Sequence, residues 1–215
     1  MPKIALICFI SAVTLFSGRA GATTIISTFD TDLDGWTTNP QGTLVFVATG
    51  GTPAGFLEET DASSGNMHVS APGKFLGDLT WANNFSVDIR AYVNPTTIRA
   101  AFGTLTFLNS AGASSISLDL GNPSTAWTQY GSALNPAAFG VSAATYSAVM
   151  SNVTGLTLIL EADKDSDVEK VGMDNFRISD DLAAASDVST PEPVYFSLIG
   201  AALTLGAVVR RKTSV

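Results

Sequence analysis

Residues 85–93, FSVDIRAYV, carry the pattern that decides the fold of this chain. Apolar residues occupy every second position of this stretch: Phe85, Val87, Ile89, Ala91 and Val93. Side chains of a β-strand point alternately to its two faces, so the pattern predicts a strand that is buried on one face only. Residues 155–162, GLTLILEA, repeat the alternation and predict a second strand of the same kind.

Further short segments of this type fill the chain from Thr23 to Ser179, separated by Gly, Pro, Asn and Ser. They are TIISTF, TLVFVA, GFLEET, MHVS, IRAAFGTLTFL, SISLDL and WTQYGSAL, which brings the expected strands to about nine or ten. Only residues 144–152, ATYSAVMSN, predict a helix, which we expect to cross between two sheets. The fold class is therefore an all-β sandwich over residues 23–179, followed by a polar spacer at 180–190.

The charge of this body excludes several functions. From Thr23 to Thr190 it carries six Lys or Arg and eighteen Asp or Glu, a net charge of −12. Nucleic acid as a partner is excluded, because phosphates require a basic surface. Cys8 is the single cysteine and precedes the body, and His68 is the single histidine, so cysteine chemistry and a multi-histidine zinc site are excluded as well.

The N-terminus has the three parts of a secretory signal peptide, which we place at residues 1–22. Lys3 precedes an apolar run over about residues 4–16, and small residues follow around Ala20 and Ala22. We expect signal peptidase to cleave before Thr23. The alternative is an uncleaved anchor, but the apolar run is short for a membrane span.

The C-terminus predicts a membrane segment. Residues 194–209 carry no charge and are followed by Arg210, Arg211 and Lys212. A helix of this length is about 24 Å long, just short of the hydrocarbon core of a bilayer. The basic triplet would remain in the cytoplasm and leave the body on the outer side, in agreement with the signal peptide.

The tail at residues 191–215 resembles the PEP-CTERM sorting signal. Pro191, Glu192 and Pro193 precede the apolar helix, which ends in the basic triplet. The resemblance implies that an exosortase processes the tail, and that the protein is anchored in the inner membrane during sorting. Its destination would then be the cell surface or extracellular matrix of a Gram-negative bacterium. A plain membrane anchor is the alternative.

Three motifs of the body resemble known modules. Residues 69–80, VSAPGKFLGDLT, are similar to the laminin B module, also called laminin domain IV. The opening Phe29-Asp30 with Gly35-Trp36, and the closing residues 171–178, VGMDNFRI, are similar to galactose-binding-like jelly rolls, among them many carbohydrate-binding modules. These resemblances imply a jelly-roll sandwich without catalytic activity that serves adhesion or glycan binding.

The first acidic motif raises the question of structural calcium. Asp30, Asp32, Asp34 and Gly35 match the start of an EF-hand loop, but Gln41 stands where the loop needs a bidentate Glu. An acidic turn is the simpler interpretation. Since jelly rolls often bring the first and last strands together, Asp30 and Asp174 are the candidate ligands of one calcium ion.

Paired carboxylates are the only catalytic option that the composition leaves open. Glu58 and Glu59 are adjacent, so on a regular strand they point to opposite faces and cannot act on one bond. We expect His68 at the surface, and we expect a solvated loop for the acidic run of Glu161, Asp163, Asp165 and Asp167. The sequence therefore predicts no enzyme and no catalytic residue.

Exposed aromatic residues are the candidates for ligand binding, because sugar rings stack on Trp and Tyr side chains. Trp81, in a loop, and Tyr92, on the polar face of its strand, are the predicted binding residues, whereas Trp36 and Trp127 are expected in structural positions. The predicted function is exopolysaccharide binding by an exported, non-enzymatic surface or matrix protein. The alternatives are a purely structural matrix or adhesion protein and a glycoside hydrolase.

Overall fold

The computed structural model describes residues 23–63, 65–92, 101–163 and 169–181. These ranges lie within the first of the two compact units of the chain, Met1–Leu182. The signal peptide and the sorting tail predicted above fall outside the described residues. Within the described ranges, no helix is both long enough and apolar enough to cross a membrane.

Eleven strands and one α-helix make up the described chain. The strands are β1 (Thr24–Ser27), β2 (Thr37–Thr38), β3 (Gly42–Val47), β4 (Phe56–Asp61), β5 (His68–Ser70), β6 (Asn84–Ala91), β7 (Thr104–Asn109), β8 (Ser114–Asp119), β9 (Thr128–Ala133), β10 (Gly155–Ile159) and β11 (Lys170–Ser179). The helix is α1 (Ala143–Met150), and a 3₁₀ turn covers Gly73–Phe75.

Two antiparallel sheets form a sandwich. Sheet A has the order β3-β4-β11-β6-β9, with β1 also paired to β11, and sheet B has the order β2-β5-β10-β7-β8. The long strand β11 lies at the centre of sheet A, where it pairs with β4, β6 and β1. The predicted all-β sandwich is confirmed, and so is the neighbouring position of the first and last strands.

The core lies between the sheets and is rich in aromatic side chains. The ring of Trp36 lies 4.9 Å from that of Phe176 and 5.7 Å from that of Phe75, measured between centroids. Its indole Nε1 donates a hydrogen bond of 2.9 Å to Ser27 Oγ, so the one polar atom of this buried ring has a partner. Trp36 of the opening motif is therefore part of the core, as predicted.

The alternating segments behave as their patterns predict. Phe85, Val87, Ile89 and Ala91 on β6 are buried towards the other sheet, and the same holds for Leu156 and Leu158 on β10. Helix α1 follows β9 of sheet A and precedes β10 of sheet B, which confirms the predicted crossing.

Two details differ from the sequence prediction. In the described part of the segment IRAAFGTLTFL, the strand begins at Thr104, because residues 101–103 form a turn in which Gly103 has a φ of 70°. The two-residue strand β2 has no alternation to reveal it. The turn after β5 carries Phe75, which is fully buried, and leads the chain from sheet B to sheet A.

Candidate functional site

The outer face of sheet A carries a group of aromatic and charged side chains that we call the outer patch. Its members come from β4, β6, the residue after β6, the residue before β9 and the start of β11: Phe56, Glu58, Arg90, Tyr92, Trp127 and Lys170. Glu58 and Arg90 both lie opposite Gly172 in the register of β4, β11 and β6. Four neighbouring strands therefore bring this group together.

Gly172 creates the space in which the aromatic rings of the patch lie. A Cβ atom at this position would be 2.8 Å from Trp127 Cη2 and 3.1 Å from Phe56 Cδ2. The two rings meet edge to face, with centroids 5.3 Å apart. The absence of a side chain at Gly172 thus allows Trp127 to lie across the sheet, where its Nε1 donates a hydrogen bond of 2.8 Å to the carbonyl of Gly50.

The guanidinium of Arg90 is held by three aromatic rings. Its Cζ atom lies 4.6 Å from the ring centroid of Tyr92, 4.9 Å from that of Trp127 and 5.5 Å from that of Phe56. These distances are in the range of cation–π interactions. The buried Nε of Arg90 donates no hydrogen bond to the described residues, so the rings are its main partners there.

The charged members of the patch are paired. Lys170 Nζ lies 2.6 Å from Glu58 Oε1, and Tyr92 also bonds to the Glu58 carboxylate. Burial by itself raises the pKa of Glu58, but the hydrogen bonds from Lys170 and Tyr92 outweigh it, so the pKa of Glu58 lies below its usual value. Burial and the bond to Glu58 raise the pKa of Tyr92, which stays protonated at neutral pH.

Exposure differs within the patch. Phe56 is 1% exposed and belongs to the framework, whereas Tyr92 is 40% exposed and offers its ring to solvent. Trp127 is half-buried. The patch thus combines an accessible aromatic ring with a fixed cation and an ion pair, which is a suitable arrangement for stacking and hydrogen bonding to a sugar.

The loop between β3 and β4 is fastened to the same face by Asp174. Thr52 N donates a hydrogen bond of 2.7 Å to Asp174 Oδ2, and Thr52 Oγ1 donates one of 2.8 Å to Asp88 Oδ2. Asn175, which has a φ of 48° at an irregularity of β11, donates to the same Asp88 oxygen over 2.9 Å. Burial raises the pKa of Asp174 despite its hydrogen bonds. Asp174 therefore holds a loop in place.

The two predicted calcium ligands have separate partners. Both oxygens of Asp174 accept backbone N–H groups, from Asn175 and Thr52. Asp30 accepts from Thr28 Oγ1 over 2.7 Å and lines a surface cavity of about 260 Å³ whose lining does not include Asp174. Within the described ranges, no set of three or more His, Cys, Asp or Glu side chains is arranged to hold a metal ion. A calcium ion shared by Asp30 and Asp174 therefore stays a prediction.

The two predicted ligand-binding aromatics lie at opposite ends of β6. Tyr92 follows the strand and belongs to the outer patch, while Trp81 precedes it, half-buried against the core, with Nε1 bonded to the carbonyl of Asp78 over 3.0 Å. Eight residues of strand separate them, a distance of about 26 Å. Trp81 and Tyr92 therefore do not form one site.

Arg90 and Trp127 are members of the patch that the sequence does not predict as ligand-binding residues. Trp127 was expected in a structural position, and Arg90 was not singled out at all. Arg90 had a visible signal, since it stands two residues before Tyr92 on the polar face of the same strand. No local sequence signal marks Trp127, because the pairing of β6 with β9 and the lack of a side chain at Gly172 bring it to the patch.

The outer face of sheet B has a different character. One hydroxyl-bearing residue from each of its five strands aligns in a single row: Thr37, Ser70, Thr157, Thr106 and Ser117. Thr106 and Ser117 are hydrogen-bonded to each other over 2.8 Å. His68 is half-buried on the strand that carries Ser70. This face thus presents small polar groups where sheet A presents aromatic rings.

The adjacent acids of β4 lie on opposite sides of the strand, as predicted. Glu58 belongs to the outer patch and Glu59 lies fully buried between the sheets. The expectation of a solvated loop at residues 161–167 is wrong for Glu161 and Asp163, which are 1% and 5% exposed because the chain turns inward after β10. Asp165 and Asp167 lie outside the described residues.

Comparisons with solved structures identify the class of fold. The chain is similar to a Clostridium thermocellum endo-1,4-β-D-xylanase structure containing CBM22-1 and GH10 modules complexed with xylohexaose, with 18% identity and a TM-score of 0.50. It is also similar to an exo-β-agarase, with 13% identity and a TM-score of 0.51. The matches cover 72% and 70% of this chain but only 28% and 24% of those two chains.

A mutant of the family 29 carbohydrate-binding module CBM29-2, complexed with mannohexaose, matches with 12% identity and a TM-score of 0.49, covering 74% of this chain and 92% of that one. No protein-family model and no curated protein matches the sequence. The described residues form a two-sheet antiparallel sandwich that is similar in fold to parts of the xylanase and agarase structures. At these identities the likeness concerns the fold alone.

Proposed function

We propose that this chain is an exported, non-enzymatic surface or matrix protein that binds a neutral or weakly charged extracellular polysaccharide through the outer patch. The observation that carries the proposal is the exposed ring of Tyr92 beside Trp127 and the aromatic-bound Arg90. Similar folds occur in structures complexed with xylohexaose and mannohexaose, which supports a glycan as the ligand class.

Each group of the patch has a specific task in this proposal. The CH face of a sugar ring stacks on Tyr92, while Glu58 accepts and Lys170 donates hydrogen bonds to hydroxyl groups. The rings around Arg90 fix the geometry before the ligand arrives, so less side-chain freedom is lost on binding. A strongly anionic glycan is disfavoured because the body carries a net charge of −12.

Export and sorting rest on the resemblance of the two ends to processing signals. Signal peptidase would release residues 1–22, and an exosortase would process the tail after Pro191-Glu192-Pro193 at the inner membrane. The mature protein then reaches the cell surface or matrix. Intact-mass measurement of protein recovered from the host surface or medium tests this, and retention of residues 210–212 in the released form would contradict it.

Affinity electrophoresis of the purified chain in gels containing exopolysaccharide from the host tests the binding proposal. We expect retardation of the wild type and a several-fold weaker interaction for Tyr92→Ala, since one stacking ring contributes about 1 kcal/mol beyond its buried area. Trp127→Ala should act in the same direction. Retardation that is indifferent to both substitutions would contradict the role of the outer patch.

Trp81→Ala is the comparison variant, because Trp81 lies at the other end of β6. A loss restricted to Trp81→Ala would move the site to that end of the strand, as the sequence also allows. No retardation of any form would favour the alternative of a purely structural matrix or adhesion protein. Release of sugars from the polysaccharide would favour a glycoside hydrolase.

A further inference from the structure

Four carboxyl side chains lie close together at one end of the space between the two sheets, and we call them the inter-sheet acid cluster. They come from the end of β4, the residue before β11 and the segment after β10: Glu59, Asp61, Glu169 and Glu161. All four residues are at most 5% exposed. The cluster therefore joins an edge of sheet A to an edge of sheet B.

Backbone N–H groups satisfy part of the cluster. Met67 N donates a hydrogen bond of 3.0 Å to Glu161, and the N–H groups of Ala162 and Asp163 donate to the two oxygens of Glu169 over 2.5 and 2.6 Å. Since Glu169 precedes β11 in sheet A and Ala162 follows β10 in sheet B, the last two bonds tie the sheets together.

Two oxygens of the cluster have no hydrogen-bond partner among the described residues. They are Glu59 Oε2 and Asp61 Oδ2, both buried. The other oxygen of Glu59 accepts from Thr38 Oγ1, and that of Asp61 accepts from Ser63 N over 3.0 Å. A buried acceptor without a donor is costly, and a buried carboxylate without a cation costs several kcal/mol more.

The described cations lie elsewhere. No described ion pair includes Glu59, Asp61 or Glu169, and Lys170, next to Glu169, is paired with Glu58 on the outer face. The charges that act on Glu59 are those of Glu161, Asp61 and Glu169. Of the other elements around the cluster, β2 contributes the hydroxyl of Thr38, β3 contributes Gly42, and β5 contributes the carbonyl of His68.

We propose that the inter-sheet acid cluster is a proton-dependent clasp, which holds the two sheet edges together at acidic pH and loosens as the pH rises to neutrality. A proton on Glu59 turns its oxygen without a partner into a donor that bonds to a neighbouring carboxylate. Its removal leaves a negative charge on Glu59 beside the buried carboxyl groups of Glu161, Asp61 and Glu169. The proposal does not depend on glycan binding.

The sign of the effect follows from the direction of the shifts. Burial, reinforced by the neighbouring carboxylates, raises the pKa of Glu59 to about 7, and burial raises that of Glu169 to about 7, against 4.5 for a free Glu. Between pH 4.5 and about pH 7, Glu59 and Glu169 therefore bind more protons in the folded chain than in the unfolded chain. The stability of the chain is therefore full below about pH 4.5 with respect to these groups, and it decreases as the pH rises towards 7.

Thermal unfolding of the full chain between pH 5 and pH 8, with EGTA present, tests the clasp. We expect the melting temperature to fall by roughly 5 °C or more over this range. Glu59→Gln imitates the protonated acid, since its amide donates where the carboxylate cannot. This variant should have a higher melting temperature than the wild type at pH 8 and a smaller dependence on pH.

Asp119→Asn is the matched control, because it removes one negative charge from an exposed position outside the cluster. It should keep the pH dependence of the wild type. Equal pH dependence in all three forms would overturn the clasp, since it would reflect general charge repulsion. A gain at pH 8 on adding millimolar calcium that Glu59→Gln abolishes would also overturn it, because a metal ion would then neutralise the cluster.

A measurement on the wild type covers the case in which Glu59→Gln does not fold. Hydrogen exchange of the Met67 and Ala162 amides reports the clasp directly, since both donate to its carboxylates. After correction for the intrinsic pH dependence, protection of these two amides should decrease between pH 5 and pH 8 more than that of Val87 at the centre of β6. Equal changes at all three amides would contradict the proposal.

Discussion

Glu58 and Glu59 are neighbours on β4, yet they lie in two regions with opposite properties. Glu58 faces the outer patch, where Lys170 and Tyr92 bond to it and lower its pKa. Glu59 faces the inter-sheet acid cluster, where burial raises its pKa to about 7 and one of its oxygens has no partner among the described residues. The comparison shows that the side of the strand, and not the residue type, decides what a carboxyl group does.

The largest expected effect is a difference in the free energy of unfolding between substitutions on the two sides of β4. Leu57 is fully buried towards the core, so Leu57→Ala should lower the free energy of unfolding by about 2–5 kcal/mol. Glu58→Ala removes an ion pair whose lysine is 46% exposed and should cost less than about 1 kcal/mol. Urea unfolding of the two variants checks the difference, and similar costs would contradict the assignment of faces.

A bound calcium ion would define a third polar region besides the outer patch and the inter-sheet acid cluster. The sequence-based prediction of an ion shared by Asp30 and Asp174 requires a gain of about 2.7 kcal/mol at a hundredfold excess over the dissociation constant. Asp174→Asn should abolish that gain, while Glu59→Gln should leave it intact. If the melting temperature is the same in EGTA and in millimolar calcium, the prediction of a shared calcium ion is wrong. That result would agree with the separate hydrogen-bond partners of Asp30 and Asp174 in the structure.

The packing of the outer patch is tested by Gly172→Ala. The added Cβ would meet Trp127 at 2.8 Å, so the ring must move, which should cost about 1–3 kcal/mol of stability and weaken glycan binding. Gly155→Ala is the matched control on the other sheet, since its Cβ would make ordinary contacts of 3.6 Å with Leu108. The control should be neutral or stabilising by up to about 1 kcal/mol. Equal behaviour of the two variants would contradict the role of Gly172.

The smallest expected effect compares the pH dependence of the two neighbours. Because the pKa of Glu58 is lowered by folding, its contribution to stability is present above the pKa of the unfolded chain and is lost as the pH falls through the folded value. The stability difference between wild type and Glu58→Gln, less than about 1 kcal/mol at pH 7, should therefore shrink towards pH 3. Denaturant unfolding at both pH values checks this, and a difference that grows in acid would contradict it.

The sequence predicts much of the sandwich because the alternation of apolar and polar residues along a strand is a local property. The pattern of β6 identified its buried face, and the adjacency of Glu58 and Glu59 already implied opposite sides. Strand β2 escaped prediction because two residues are too few to show a period. Tyr92 was found from the polar face of its own strand, whereas Trp127 belongs to the patch only through strand pairing.

The sequence alone determined the strand character of the body, its acidic charge, the crossing helix and the side of β4 on which each glutamate lies. These depend on near neighbours in the chain, whose spacing fixes direction through the two-residue period of a strand. Only the tertiary structure decided that Gly172 makes room for Trp127, and that acids from β4, the segment after β10 and the residue before β11 meet between the sheets. Such groups are assembled from segments far apart in sequence, and burial then sets pKa values that no local pattern contains.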